Sequence, residues 1–443
     1  MVLIKRIFIV FLLLIFLMGE SRLVAENPDP FPYPVTIYTL QNGMTVILSE
    51  DYSLPVVSVV VAYKVGSLHD QPRRYGLAYI LENLMFQGSR NIGRMQHVNF
   101  ISRVGGEFNA VTSFDRTIFH QTLPSNQLPL VLWLESDRMY SLIITPPKVD
   151  LAKRMIRTDI QRRTELDPYL ESALQFDRML YSDADYSHPI FGVESHLPNI
   201  STQDVWDFYR MYYTPSNAIL CITGHFEKEK VIQLIERYFS ADQKTELKIR
   251  SSLPFILPDS EIVQNEESSV PSPCFFLGYR LVNLFPTDHF ALKFIEYSLL
   301  RGKGSRLYKR LISRERLASR LDGGFEKRGD KNTFKLFITT NSEQLRERCR
   351  RILFTEINRL RTGLMPETEY RRAANMVKMN LLNQYVSLPN RALFLVESLL
   401  DQMNMGKISD EIKRALDIPR SNIMGVAARH FSQNRIRLDV QVR

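Results

Sequence analysis

One predicted helix carries polar side chains in a spacing that zinc enzymes use. In residues 76–86, Tyr79, Glu82 and Asn83 follow the pattern His-x-x-Glu-His, whose two His share one helix face and bind zinc beside a general-base Glu. A phenol and an amide stand here at the two imidazole positions, and both are poor zinc ligands. Without a metal-polarised water, Glu82 has little to deprotonate. We therefore interpret Glu82 as an inactive relic of a base and expect neither a metal nor another cofactor.

A metal site elsewhere in the chain is the open alternative. The chain has eight His, and none has a His, Cys or acidic partner at an obvious helical ligand spacing. Its three cysteines, Cys221, Cys274 and Cys349, are widely spaced and form no C-x-x-C pair. We predict buried free thiols, with one long-range disulfide as the alternative.

The segments around the helix predict the sheet that would position it. Residues 36–40 and 44–48 alternate on either side of an Asn-Gly turn, which indicates a hairpin. A β-branched run at 56–65 predicts a buried strand, and a Gly-Gly turn at 105–106 opens another. Long helical patterns follow.

The second half of the chain repeats the first. Ala62-Tyr63-Lys64-Val65 matches Gly278-Tyr279-Arg280-Leu281 at an offset of 216, and Gly88-Ser89-Arg90 matches Gly304-Ser305-Arg306 at the same offset. Gly105-Gly106 matches Gly323-Gly324 at an offset of 218. Three matches in one order predict a duplicated unit. Residues 241–258 are polar and then Pro-rich, which indicates a linker between the two copies.

Composition and charge narrow the function classes. A chain of 443 residues with 44% hydrophobic and 24% charged residues is typical of a multidomain globular protein. The net charge is +9, and its densest basic stretch, residues 301–320, is interpreted as a solvated helix face. No aromatic pattern accompanies these charges, so nucleic-acid binding is not expected.

The N-terminus indicates export. Lys5 and Arg6 precede a 12-residue apolar run at 7–18, which suits a signal peptide and is too short to span a bilayer. We predict a signal peptide at residues 1–25 with cleavage after Ala25 or Ser21, an exported protein of the periplasm or cell envelope, and a mature chain without a transmembrane domain. An uncleaved anchor is the alternative.

Several segments together resemble a known family. The hairpin Leu40-Gln41-Asn42-Gly43-Met44 is similar to "LxNGhxV", residues 76–89 to "GxAHxxEHxxFxGT", and residues 105–112 to "GGxxNAxT". His188-Pro189, and Ser305-Arg306-Leu307-Tyr308 as an "SRLY" helix, extend the likeness. The chain resembles the pitrilysin/insulinase/mitochondrial processing peptidase family of zinc peptidases, in its two-domain bacterial processing-peptidase-like branch, over residues 35–443.

The resemblance implies a degenerate metal site. The family's third ligand is a Glu on a later helix, and Asp159 stands at that position. The family's supporting Glu corresponds to Ala152. Two lost His, a shortened ligand and a lost supporting carboxylate leave almost no zinc affinity, since such losses compound. The family's substrate-holding Arg and Tyr of the second domain correspond to Ile312 and Ser319, with Arg314 or Arg316 as alternatives after a small shift.

The resemblance also implies the architecture and two functional hypotheses. We predict an α+β fold of two homologous domains, 35–240 and 259–443, each a mixed, mostly antiparallel sheet with helices packed on one face. The first hypothesis is an exported, inactive subunit that pairs with an active zinc-peptidase paralogue in a heterodimer and binds an extended peptide by strand addition. The second is a stand-alone envelope peptide-binding or structural protein; an active zinc endopeptidase is the third. The predicted peptide-binding edge consists of Gly105, Gly106, Asn109, Ala110 and Thr112.

Overall fold

The computed structural model describes residues 33–443 apart from residues 183, 242–254, 286 and 402–412. Residues 33–443 form one compact unit by their contacts. The predicted signal peptide at 1–25 and residues 242–254 of the predicted linker lie outside the described residues, so both remain predictions. Among the helices that are described, none is long and apolar enough to cross a bilayer.

Two mixed sheets organise the described chain, and each contains one parallel pair of strands. The first has the order β1-β2-β6-β3-β5-β4 and the second β7-β11-β8-β10-β9. Strands β2 and β6 are parallel, as are β7 and β11, and the other pairs are antiparallel. The strands are β1 Thr36–Thr39, β2 Thr45–Glu50, β3 Val56–Tyr63, β4 Glu107–Thr112, β5 Thr117–Pro124, β6 Ala218–Gly224, β7 Ile262–Ser268, β8 Cys274–Leu281, β9 Ala318–Arg328, β10 Lys331–Thr340 and β11 Ile436–Val442.

The two sheets share one topology. From β2-β6-β3-β5-β4 to β7-β11-β8-β10-β9, each strand has a counterpart with the same neighbours and directions. Tyr63 in β3 and Tyr279 in β8, which the repeated segments align, lie on corresponding central strands. The predicted duplication and the predicted α+β fold are therefore confirmed.

Helices cover both sheets. They are α1 Leu77–Leu84, α2 Gln96–Arg103, α3 Leu128–Ser141, α4 Pro146–Leu166, α5 Leu170–Tyr181, α6 Ala184–Ser187, α7 Thr202–Tyr212, α8 Lys228–Phe239, α9 Asp288–Leu299, α10 Glu343–Thr362, α11 Glu367–Val386, α12 Leu388–Leu400 and α13 Arg420–His430. A π-helix spans Tyr308–Arg314. The basic stretch at 301–320 is thus not one helix face, because it contains the π-helix and enters β9 at Ala318.

Each half lends one helix to the other half's sheet, which the sequence did not predict. From the first half, α5 packs on the second sheet, where Phe176 stacks on Phe276 with ring centroids 5.4 Å apart. From the second half, α12 packs on the first sheet, where Thr223 Oγ1 donates to Leu388 O at 3.2 Å. The predicted helices on one face are therefore joined by one exchanged helix on the opposite face.

The three cysteines are buried in these cores. Cys221, Cys274 and Cys349 are all free thiols. Burial raises the pKa of Cys274 and of Cys349 to about 12. The prediction of buried free thiols is confirmed.

Candidate functional site

The helix α1 is fixed at its first turn by a buried acid. Asp70 accepts hydrogen bonds from the backbone N–H of Gly76 at 2.6 Å and of Ala78 at 2.8 Å. A carboxylate at a helix N-terminus satisfies unpaired amides and complements the helix dipole. Gly76 has φ 115°, a left-handed conformation that favours glycine. This capping fixes the direction in which the polar face of α1 projects.

Tyr79 and Asp159 meet as the resemblance implies, but a guanidinium joins them. Tyr79 Oη donates to Asp159 Oδ2 at 3.0 Å, and Arg163 Nε donates to the same oxygen at 2.7 Å. Burial raises the pKa of the Tyr79 phenol, and the Asp159 charge adds to the shift. The carboxylate at the third ligand position is therefore held by a phenol and a cation.

Asn83 is turned toward its own helix. Its Nδ2 donates to Tyr79 O at 2.8 Å, one turn earlier. Such a local bond competes with ligand binding, because it directs the amide along the helix. Asn83 is thus not brought into the cluster that Tyr79 forms with Asp159.

Glu82 joins α1 to the edge strand β4. Its Oε2 accepts a hydrogen bond from Thr112 Oγ1. Burial raises the pKa of Glu82, although hydrogen bonding to Thr112 opposes the shift. The carboxyl group therefore acts as an acceptor that positions β4.

The donor set does not suit zinc. Ala152 on α4 is fully buried in the core of the first half and offers only a methyl group where the family's supporting carboxylate would stand. The guanidinium of Arg163 lies against the one carboxylate that matches the family's third ligand. Within the part of the chain that the structure describes, no group of three or more His, Cys, Asp or Glu could hold a metal ion.

The predicted peptide-binding residues lie along an open sheet edge. Strand β4 is the last strand of the first sheet and pairs with β5. Ala110 N donates to Asn109 Oδ1 at 2.9 Å, so this amide points away from β5. One donor on the open side of β4 is thus satisfied by a side chain.

The two glycines before β4 have different roles. Gly105 has φ 76°, and a Cβ built there would meet nothing within 4 Å, so its backbone conformation is what requires glycine. A Cβ at Gly106 would lie 2.9 Å from Ile101 Cγ2. Gly106 is therefore packed closely against the protein itself, whereas open space faces Gly105.

A cavity of about 420 Å³ lies between the residues around Tyr79 and Glu82 and strand β9 of the second half. Tyr79, Glu82 and Thr112 line one side and Arg328 of β9 another. Its remaining lining is Ala110, Val111, Phe114, Arg163, Leu174, Asp177, His188, Pro189, Ile190, Phe191 and Glu326. Aromatic and aliphatic groups therefore face a few charged ones, which is typical of a site for a peptide side chain.

Sequence reasoning missed the two arginines of this cavity. Arg163 lies four residues after Asp159, a readable helical ion-pair spacing. Arg328 gave no such signal: its Nη2 pairs with Asp177 at 2.5 Å, and its guanidinium lies 4.2 Å from the centroid of the Phe114 ring. Arg328 thus joins β9 to elements of the first half.

The residues at the family's substrate-holding positions make internal contacts. Ile312, in the π-helix, packs against the core of the second half. Ser319 Oγ lies 2.7 Å from Thr339 Oγ1. Arg314 and Arg316 are exposed. The structure therefore does not bring Ile312 or Ser319 into the cavity beside Glu82.

Comparison with known proteins places this site in a family. The family model described as "Insulinase (Peptidase family M16)" matches residues 45–184, and the one described as "Peptidase M16 inactive domain" matches residues 199–377. The chain belongs to the M16 family of peptidases. The predicted membership is thus confirmed by matches that span both halves.

Individual M16 relatives agree with the fold. The zinc protease PqqE of Helicobacter pylori is 24% identical over 401 residues, which cover 90% of each chain. The crystal structure of a protease from Helicobacter pylori has a TM-score of 0.83 at 23% identity, over 92% of this chain and 100% of that one. The periplasmic protease PqqL from Escherichia coli has a TM-score of 0.73 at 15% identity, over 92% of this chain and 47% of that one. At these identities the structural likeness shows the fold alone.

Proposed function

We propose that this M16 chain is a metal-free, catalytically inactive subunit that forms half of a peptide-binding chamber with an active zinc-peptidase paralogue. The observation that carries the proposal is the Asp159 carboxylate, which is bonded to Arg163 and Tyr79 where the family's third ligand would be free for zinc. Hydrolysis through zinc needs a ligand set and a polarised water. Enclosing a peptide and adding it to a sheet edge needs neither.

The peptide-binding part of the proposal is supported by β4. The side of β4 that faces away from β5 adjoins the cavity, and Ala110, Val111 and Thr112 line the cavity. An extended peptide would gain backbone hydrogen bonds from this edge, and its side chains would meet Phe114 and Phe191. We infer that the ligand is an extended peptide with an apolar side chain at the cavity.

The partner and the location are supported by comparison and by the N-terminus. This chain corresponds in fold to about half of the periplasmic protease PqqL, since it covers 47% of that chain. A single unit of this size would therefore supply one half of a comparable enclosure. The basic and apolar residues at 5–18 support export of the chain to the same kind of compartment.

Metal analysis tests the proposal directly. The mature protein is purified alone and, separately, by pull-down from its native cell, and zinc is measured per chain in both samples. We expect no zinc in the chain alone and about one zinc per complex, with a co-purifying paralogue that carries an intact His-x-x-Glu-His. About one zinc in the isolated chain refutes the metal-free subunit. No zinc in either sample refutes the paired subunit and favours the stand-alone binding protein.

Two variants of β4 test the peptide edge independently. Ala110→Pro removes the amide that faces the open side and should weaken binding of an unstructured peptide. Asn109→Ala removes the side-chain oxygen that accepts from the Ala110 amide, which frees this amide and should strengthen binding. Fluorescence anisotropy with a labelled peptide measures both, and equal affinities for the two variants would exclude strand addition at β4.

A further inference from the structure

A second cavity, of about 450 Å³, lies in the second half of the chain and shares no lining residue with the cavity beside Glu82. It is bounded by the π-helix and by α10. Five basic and two acidic side chains line it, a surplus of three positive charges. These are Arg306, Lys309, Arg310, Arg314 and Arg359 against Glu356 and Glu369. Four cations of the basic stretch at 301–320 thus lie beside Arg359 of α10.

The π-helix is what brings two of these cations together. In an α-helix, side chains five residues apart point about 140° away from each other. Here Glu315 N donates to Arg310 O at 3.1 Å, the i to i+5 hydrogen bond of a π-helix, in which residues five apart are separated by about one turn. Lys309 and Arg314 therefore both line the cavity. Single-turn π segments occur frequently at functional sites.

Part of the positive charge is already neutralised inside the protein. Arg306 makes a bidentate pair with Glu369, at 2.8 and 3.1 Å. Glu356, which is buried, accepts from Arg310 at 3.1 Å and from Arg359 at 2.8 Å. These ion pairs hold the guanidinium groups at fixed positions around the cavity, as a rigid frame for a ligand.

Two cations are left over. Lys309 and Arg314 are exposed and form no salt bridge with any residue that the structure describes. Glu315, the nearest acid in sequence, is engaged by Arg310 at 3.1 Å and by Arg348 at 2.8 Å. The cavity thus presents two uncompensated cations beside a preorganised guanidinium cluster.

We propose that this cavity binds a phosphate-type oxyanion, held by Lys309 and Arg314 within the frame of Arg310 and Arg359. The surplus of three charges exceeds what one carboxylate would neutralise and suits a phosphate or diphosphate group, which arginine recognises through forked hydrogen bonds. The volume admits a phosphorylated molecule rather than a bare ion alone. Free phosphate and a phospholipid headgroup share this chemistry.

The test compares two double variants of the full chain that lose the same charge. Lys309→Gln/Arg314→Gln removes the two uncompensated cations in the cavity. Lys303→Gln/Arg316→Gln removes two exposed cations of the same stretch that do not line it. Calorimetric titration with pyrophosphate, and flotation with vesicles of phosphatidylcholine with or without phosphatidylglycerol, are run at one salt concentration. Thermal unfolding checks that both variants are folded.

We expect the cavity variant to lose about tenfold or more in affinity, because two charge-assisted contacts are removed, and the control variant to bind like the parent chain. Loss of pyrophosphate binding assigns the site to free phosphate compounds. Loss of vesicle binding in a chain that does not bind pyrophosphate assigns it to a lipid headgroup. Equal affinities for the two variants, or no binding to either probe, overturn the proposal.

Discussion

Introducing two imidazoles, by Tyr79→His/Asn83→His, is the sharpest test of the proposal that this chain binds no zinc. The change rebuilds the His-x-x-Glu-His spacing on α1 without touching α4. It also removes the phenol that now bonds to Asp159. We expect weak, substoichiometric zinc binding, because two obstacles remain outside α1.

The size of each obstacle follows from its surroundings. The Arg163 and Asp159 side chains are 46% and 31% exposed, so their ion pair contributes about 0.2 to 1 kcal/mol, which weakens zinc binding up to about fivefold. The missing supporting carboxylate at Ala152 costs about ten- to a hundredfold. Together these effects predict a dissociation constant up to a few hundredfold weaker than that of a complete M16 ligand set.

Zinc titration against a competing chelator measures this difference. Adding Arg163→Gln to the double variant should tighten binding by a few-fold, whereas Arg162→Gln, at the neighbouring exposed position, should not. A His pair placed at Gln203 and Asp207, which lie four residues apart on α7, gives the affinity of a bare pair. Tight binding of one zinc per chain by the double variant alone would refute the importance assigned to Asp159 and Ala152.

Three further predictions concern buried groups. Asp51→Ala should lower the free energy of unfolding in urea by about 3 to 5 kcal/mol, because it leaves the fully buried Arg391 guanidinium without its carboxylate partner. Arg391→Met removes the charge itself and should lower the free energy of unfolding far less. Equal losses in the two variants would contradict this reasoning. Burial lowers the pKa of His97 from 6.5 to about 3, so as pH falls the unfolded chain binds a proton on His97 before the folded chain does. The free energy of unfolding should therefore fall as pH drops from 6.5 toward 3, and this dependence should be weaker in His97→Asn. An unchanged pH profile in the variant would exclude His97 as its source. Thiol reagents at about pH 8 should leave Cys274 and Cys349 unmodified until the protein unfolds, because burial raises both pKa values to about 12; labelling in the native state would refute this.

The sequence predicted the parts of this site that depend on local spacing. Tyr79 and Glu82 lie on a helix because apolar residues recur on its opposite face, and all of Leu77, Ala78, Ile80, Leu81 and Leu84 are buried. Asp159 was placed through the resemblance alone, and Tyr79 does bond to it. The sequence shows that Arg163 lies four residues after Asp159 and could pair with it. Such pairs are common on solvated helix faces, so the spacing alone did not predict a role for Arg163 in the site.

The parts that depend on long-range packing were not predictable from the sequence. The apolar faces of α5 and α12 indicate that both helices are buried, but periodicity does not say which sheet covers them. Arg328 reaches Asp177 across 151 positions in the chain. Nothing in a single sequence indicates that two residues so far apart along the chain contact each other. The sequence also did not predict that Lys309 and Arg314 lie on one side of their helix, because this depends on i to i+5 hydrogen bonding that only the structure shows.

The contacts of Tyr79 and Glu82 hold together the elements that a metal would join. A metal bound to one helix pair through several ligands also cross-links them. In this chain the hydrogen bond from Tyr79 to Asp159 joins α1 to α4, and the bond between Glu82 and Thr112 joins α1 to β4. The edge strand therefore keeps a fixed position beside the cavity through protein contacts alone. Because strand addition requires only that position, the peptide binding proposed for this chain does not depend on a bound metal.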